Sequence, residues 1–334
     1  MKLTIAIPTY NRNEILERNL ALLLPQFTDQ CQLLVIDNCS PVPVENTLQT
    51  LLSRFPDVSF EIIRNRANIG GNANILRCME MCLTPYLWIL GDDDPVKPDA
   101  LATVLEHLDA HPDCYFFNFS FDDVRRETFT TTGLQNLVDG LDISANLMWI
   151  SSSIYRIETM KPTLKLGYQS AFSMLPHVAM LIMSCGKEGK CCFSKESIVV
   201  LDEAMWTPIE QQWSRVNFAL GMPTLYDLPM PHPLREKLSR HLLSAHWAGG
   251  IDLQFVTHQL LLEYLKYGDH PSTMYYFDQI CARGYYLNSS PKSKAQVRFF
   301  RLLLLWPRLT DVMMLLLKRK RLNSLPLQER HARI

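Results

Sequence analysis

Apolar residues in the first half of the chain fall into two alternating patterns. Short, largely apolar runs at residues 3–8, 32–36, 58–63, 86–90 and 114–121 read as strands, the first two buried and the last very aromatic. Between these runs the apolar positions repeat with the helical period. Ile15, Leu16, Leu20, Leu23 and Leu24 form such a stripe after Asn13, a residue suited to cap it. Further helices are predicted over 44–55, 72–82 and 98–111, the last with Pro98 at its start, while Thr9–Arg12 reads as a turn and 64–71 as a loop. Strand and helix alternate four times with short links. That pattern predicts an α/β fold, a mostly parallel sheet with helices on both faces.

After Gly133 the alternation weakens. A helix is predicted over 134–148, a strand over 150–156, an apolar helix over 169–184 interrupted by Pro176, and a strand over 191–201. Ser151, Ser152 and Ser153 are small hydroxyls where a ligand could approach closely. From Pro208 onward the chain is rich in Leu, Trp and Tyr, with helices predicted over 208–220, 233–247, 252–267, 271–283, 294–305 and 309–320. The expected organisation is a first domain over residues 1–205 and a helical region over 206–334. No internal repeat or low-complexity linker separates them.

Composition is that of a globular protein, 47% hydrophobic and 20% charged. The net charge of −1 conceals an asymmetry. From Pro291 on there are eleven Lys/Arg against Asp311 and Glu329, a net +9, so residues 1–290 carry −10. A basic tail on an acidic body suggests an anionic surface as partner, and no nucleic acid is expected. The nine cysteines are irregularly spaced, mostly within apolar runs and without a CxxC, which reads as reduced core residues of a cytosolic protein. The apolar start is too short for a signal peptide.

The chemistry concentrates at Leu90-Gly91-Asp92-Asp93-Asp94-Pro95, where a buried run ends in three carboxylates. Adjacent aspartates repel, so a cation is the reason to cluster them. Carboxylate oxygens suit Mg²⁺ or Mn²⁺ together with substrate phosphates. The alternative is a solvated acidic turn before a helix, with Asp99 as a further cap. Ligands of a parallel sheet bind beyond the C-terminal ends of its strands. There the chain also places Thr9–Asn11, Asp37-Asn38, Asn68–Gly71 and Asp122-Asp123, which favours the metal site.

Four segments together resemble the family 2 glycosyltransferases, which have the Rossmann-like GT-A fold. They are Ile7-Pro8-Thr9-Tyr10-Asn11-Arg12, Val35-Ile36-Asp37-Asn38-Cys39-Ser40, Arg64–Asn72 and Gly91-Asp92-Asp93-Asp94. A looser match, Met148–Arg156, is similar to the segment these enzymes place near the acceptor. The resemblance covers roughly residues 1–200. It implies that Pro8, Thr9, Tyr10 and Asn11 border the nucleoside, that Asp37 bonds the base or ribose, and that Asn68 and Gly70 line the nucleotide pocket. Asp92 and Asp94 would be the ends of the DXD motif, with Asp92 and Asp93 on the nucleotide and Asp94, helped by Asp92, on Mn²⁺ or Mg²⁺. The implied activity is inverting transfer of a sugar, from a UDP-sugar, to a saccharide or lipid-linked saccharide of a surface polysaccharide.

One departure stands out. The family places a catalytic Glu-Asp pair downstream of DXD, whereas Phe172–Val178 holds no acid and His177 is its only titratable group. His177 is therefore a candidate general base, its ordinary pKa being close to working pH. Asp122, Asp123 and the pair Asp202-Glu203 are the other candidates. A sugar nucleotidyltransferase would need a glycine-rich basic loop where Pro8-Thr9-Tyr10-Asn11 stands, and an oxidoreductase would need GxGxxG. A catalytically inactive scaffold that keeps the nucleotide pocket is the remaining alternative.

The tail combines Phe299-Phe300, Leu302–Trp306 and Val312–Leu317 with flanking Arg and Lys, and neither apolar run reaches the length of a membrane span. Two readings remain: an interfacial helix on anionic lipid, or a buried helix docked on the catalytic domain. The first implies a cytoplasmic protein held peripherally on the inner face of the cell membrane.

Overall fold

The computed structural model describes residues 1–120, 125–140, 145–200 and 221–243, with residues 278, 291, 295, 298, 299, 301, 302, 305, 306 and 312. Eight strands form one sheet: β1 (Leu3–Thr9), β2 (Cys31–Asp37), β3 (Ser59–Arg64), β4 (Tyr86–Ile89), β5 (Phe116–Asn118), β6 (Phe129–Thr132), β7 (Ser153–Arg156) and β8 (Lys190–Phe193). Their order is β3-β2-β1-β4-β7-β5-β8-β6. β1 to β4 run parallel, β7 is antiparallel to β4 and β5, and β8 is parallel to β5. β6 closes that edge antiparallel to β8. The sheet is thus mixed but mostly parallel, an α/β arrangement of the GT-A type.

Both faces are covered, which is why the first strands read as continuous apolar runs. Successive residues point to opposite faces. Ala6, Leu34, Ile36, Leu87 and Ile89 belong to one core cluster, while Ile5, Ile7, Leu33, Val35 and Trp88 belong to the other. The first cluster packs under α3 (Gly71–Met81) and the second under α1 (Asn13–Leu23), α2 (Val44–Leu52) and α4 (Ala100–Ala110). After β6 come α5 (Gly133–Asp139) and α6 (Ala145–Met148). After β7 come α7 (Ile157–Met160), α8 (Leu164–Gln169) and α9 (Pro176–Cys185), and α10 (His232–Leu243) follows β8. Leu225, Leu228, Met230, Leu234 and Leu238 are buried in the same cluster as α3 and α9. The C-terminal region therefore begins inside the core of the sheet.

Several sequence expectations are corrected. Asn13 does not cap α1: it is the first helical residue, and its amide donates to the Val42 carbonyl and the Thr47 hydroxyl, tying α1 to α2. The strand expected from Ile150 starts at Ser153, because Ile150–Ser152 form a 3₁₀ turn in which the Ser152 hydroxyl bonds the Trp149 carbonyl. The strand expected over 191–201 stops at Phe193, where the Ser194 hydroxyl accepts the Glu196 N–H and bends the chain. Pro176 does not interrupt a helix but starts one, after Met174 in the left-handed region at φ 65°. β6 was not expected at all. The boundary at 205/206 and most of the C-terminal helices predicted from sequence lie outside the described residues, and α10 answers to the one predicted over 233–247. Among the described residues no helix is long and apolar enough to cross a membrane.

Candidate active site

Parallel register brings the polar segments to one edge. Thr9 pairs with Asp37 across β1 and β2, Asp37 pairs with Arg64 across β2 and β3, and β4 beside β1 leads into Gly91–Asp94. Asp92 is 5% exposed and Asp94 8%. Asp92 accepts hydrogen bonds from the Thr9 hydroxyl at 2.6 Å and from Arg12 Nη1 at 2.6 Å. The same Arg12 nitrogen lies 2.9 Å from Asp93 Oδ2. Asn19 on α1 donates to the Asp92 carbonyl at 2.7 Å. Arg12 is thus a resident cation between two of the three carboxylates.

Among the described residues Asp94 has no such partner. Its Oδ2 accepts from Trp149 Nε1 at 2.8 Å and from the Ser151 hydroxyl at 2.5 Å, both neutral donors. Ser151 also accepts the Gly91 N–H at 2.8 Å, and its carbonyl accepts Trp88 Nε1. Ser151, Ser152 and Ser153 are fully buried, so they tie the interior together and offer no surface to a ligand. Burial, opposed by Arg12, pushes the Asp92 carboxyl up to about 6. Burial, with Asp93 beside it, likewise pushes Asp94 up to about 6. Asp94, raised by burial and held only by neutral donors, is a carboxylate whose charge a divalent ion would compensate. Trp149 and Ser151 share one oxygen of Asp94, which leaves the other as a donor. No group of three His, Cys, Asp or Glu gathers around a common point among the described residues. The donor set therefore fits an ion completed by phosphate and water rather than a protein cage.

The nucleoside side is a hydrogen-bonded frame. Asp37 is 1% exposed, and its oxygens accept from the Ser40 N–H at 2.8 Å and from Arg64. Arg64 also donates to the Ser40 carbonyl at 2.7 Å. Asp37 thus acts on the 38–44 loop and Arg64 and does not present a free oxygen. Asn38 donates to Asn68 at 2.8 Å and accepts from Asn65 and the Ile69 N–H. Asn11 takes the left-handed conformation at φ 55°, and its N–H donates to Ser40, stitching the first two loops. Pro8 sits in β1 opposite Ile36, and Tyr10 is exposed. Asn68 and Gly70 are exposed on the rim. Gly70 has φ +85° and open space around a built Cβ, so its backbone conformation requires glycine and crowding within the chain does not.

His177 is a correction. Its ring is 3% exposed, Nε2–H donates to the Leu147 carbonyl at 3.0 Å, and Nδ1 is buried without a partner. Burial pushes its pKa down to about 4. A ring sealed from solvent, with its one proton committed to the backbone, is not placed to take a proton from an acceptor. Its position supports Leu147, two residues before Trp149. Asp122, Asp123, Asp202 and Glu203 lie outside the described residues. His177→Gln keeps a donor for the Leu147 carbonyl and is expected to retain kcat within a few-fold. A loss of about 10²–10⁴-fold would return the histidine to general-base catalysis. The depressed pKa also has a sign. Between about pH 6.5 and 4 the unfolded chain binds a proton that the buried ring refuses, so this group's stability contribution is lost on acidification through that window. His177→Gln should therefore flatten the fall of Tm there.

Arg12, Asn19 and Trp149 are site residues that the sequence did not mark, and Ser151, expected to face a ligand, holds Asp94 instead. Arg12 stood inside a quoted motif and Met148–Arg156 was matched loosely, but nothing in one dimension pairs Trp149 with Asp94.

Comparison with known proteins bears on family and fold. Residues 4–174, more than half of the chain, match the family model of Glycosyl transferase family 2. Abequosyltransferase RfbV of Salmonella typhimurium is 33% identical over 119 residues, covering 34% of this chain and 35% of that protein. The match thus spans about a third of the relative's length. The crystal structure of S. aureus TarS 1–349 superposes with a TM-score of 0.58 at 14% identity, covering 94% of this chain and 89% of that one. The same TarS fragment in complex with UDP-GlcNAc also gives 0.58, at 15% identity. At such identities the likeness concerns the fold. With residues 4–174 matched to the family model, more than half of its length, the chain belongs to glycosyl transferase family 2.

Proposed function

We propose that this protein is an inverting glycosyltransferase that moves a sugar from a nucleotide-sugar donor to a saccharide acceptor, lipid-linked, in the synthesis of a surface polysaccharide. The observation that carries the proposal is the buried carboxylate of Asp94, held only by neutral donors, beside Asp92 at the sheet edge where Thr9 and Asp37 also end. Asp94 would hold Mn²⁺ or Mg²⁺, with Asp92 beside it, and the bound ion would neutralise charge building on the leaving diphosphate. Arg12 keeps Asp92 and Asp93 in place against their own repulsion. Trp149 and Ser151 fix the orientation of Asp94. Asp37, through Ser40 and Arg64, shapes the loop that borders the nucleoside, with Pro8, Thr9, Tyr10 and Asn11 on one side and Asn68 and Gly70 on the other. The general base on the acceptor side is assigned to one of Asp122, Asp123 and Asp202.

UDP-sugars are the donors to test first, since TarS, which shares the fold, is known in complex with UDP-GlcNAc. Thermal shift across nucleotide sugars, with and without Mn²⁺, is expected to find a donor that raises Tm only when the metal is present. A shift of equal size without metal would remove the ion from the site. Release of nucleoside diphosphate that depends on an added saccharide would separate transfer from an inactive scaffold. Asp37→Asn is expected to raise the donor KM about tenfold, close to 1.4 kcal/mol of binding, with a smaller change in kcat. An unchanged KM would put the nucleoside elsewhere.

A further inference from the structure

We propose that Phe299, Leu302, Leu305 and Trp306 form a docking face for an anionic lipid bilayer. This deepens the membrane side of the proposed function, but its test needs neither donor nor acceptor, so its failure leaves sugar transfer untouched. Residues 298, 299, 301 and 302 are helical, and the Leu305 N–H closes a turn onto the Leu302 carbonyl at 3.2 Å. Phe299 and Leu302 stand three apart, on one side of the helix. Their exposures are 53% and 61%, and those of Leu305 and Trp306 are 55% and 68%. Elsewhere among the described residues, large exposed apolar side chains such as Val42 and Leu83 stand alone along the sequence, and Tyr168 with Phe172 makes no more than a pair. Isolated examples need no explanation, whereas four within eight residues mark an interaction surface.

The charge selects the occupant. Arg298 and Arg301 are exposed beside the apolar residues, and Arg301 is tethered to Asp278 at 2.6 Å. The segment from Pro291 onward carries +9. Joining two copies through this face would bring two such segments together, which like-charge repulsion opposes. An anionic lipid surface attracts them, and Phe, Leu and Trp beside Arg suit the boundary between headgroups and acyl chains. The tryptophan is the natural interfacial anchor.

The full-length protein is sedimented with vesicles of equimolar phosphatidylglycerol and phosphatidylcholine, and with vesicles of phosphatidylcholine alone. Binding is expected with the anionic vesicles and should weaken as salt is raised. The double variant Leu302→Glu/Trp306→Glu is expected to bind them about tenfold more weakly or worse, with its far-UV circular dichroism kept. Trp306→Ala, the milder change, should show an intermediate loss. Wild-type protein that ignores anionic vesicles, or a double variant that binds as well as wild type, would overturn the proposal. So would a dimer in solution that the double variant dissociates without affecting vesicle binding, which would assign the face to a second copy.

Discussion

Asp94→Asn is expected to lower sugar transfer by about 10²–10³-fold or more, the loss seen when one electrostatic stabiliser of a developing charge is removed. The amide is close to the carboxylate in shape and can still accept from Trp149 and Ser151, so the neighbourhood stays filled. What disappears is the charge that would attract a divalent ion. Stability should move the other way. Burial has pushed the Asp94 carboxyl up to about 6, so ionising it at neutral pH costs more in the folded chain than in the unfolded one. Without metal, Tm of Asp94→Asn should equal or exceed that of the wild type at pH 7. A lower Tm would mean that the aspartate serves the fold, and wild-type turnover independent of metal would discard the DXD assignment.

Gly91→Ala is the second large effect, and it comes from a single methyl group. A Cβ at Gly91 would stand 2.5 Å from Asp94 Oδ2 and 3.4 Å from Asp93 Oδ1. The first contact is impossible without movement. The clashing oxygen is the one that Trp149 and Ser151 hold, and Ser151 in turn accepts the Gly91 N–H. The carboxylate must therefore leave its donors or push the 149–151 turn outward. Displacing a site group by about 1 Å can cost about 10²-fold in rate, and a loss of that order in kcat/KM is expected. Metal affinity, measured with Mn²⁺ by electron paramagnetic resonance, should fall as well. Wild-type kinetics and Mn²⁺ affinity would show that Asp94 can relocate without consequence.

The parts of the fold that could be read from sequence are those fixed by local pattern. β1, β2 and β4 were legible because both faces of the sheet are covered there and these strands are mostly apolar, whereas β3, at the edge, carries Ser59, Glu61 and Arg64 and is half exposed. The edge carrying the site was legible for the same reason, since parallel strands put every C-terminal turn on one side. β6 was not, because Phe129-Thr130-Thr131-Thr132 lies at the sheet edge with alternate residues exposed and holds one aromatic among threonines. The order β4-β7-β5 was equally hidden, because β7 enters between strands that precede it in the chain. His177 misled for a related reason. A lone titratable group in an apolar helix reads alike whether it faces a cleft or a backbone carbonyl, and the Leu147 partner lies 30 residues away. Three adjacent aspartates announced the site, while their division into two held by Arg12 and one held by Trp149 and Ser151 needed the third dimension.

The insertion of β7 has a consequence for engineering. Family members are natural parents for chimeras that combine the first part of one enzyme with the second part of another, and residue 100, past the parallel strands, is an obvious crossover. Here such a cut would take Asp94 from one parent and the Trp149–Ser151 turn from the other. It would also make β4 of one parent pair with β7 of the other, over Tyr86–Arg156, Leu87–Tyr155 and Trp88–Ile154. Exchangeable blocks should therefore be drawn in space, with residues 86–94 and 149–156 inherited together whatever lies between them.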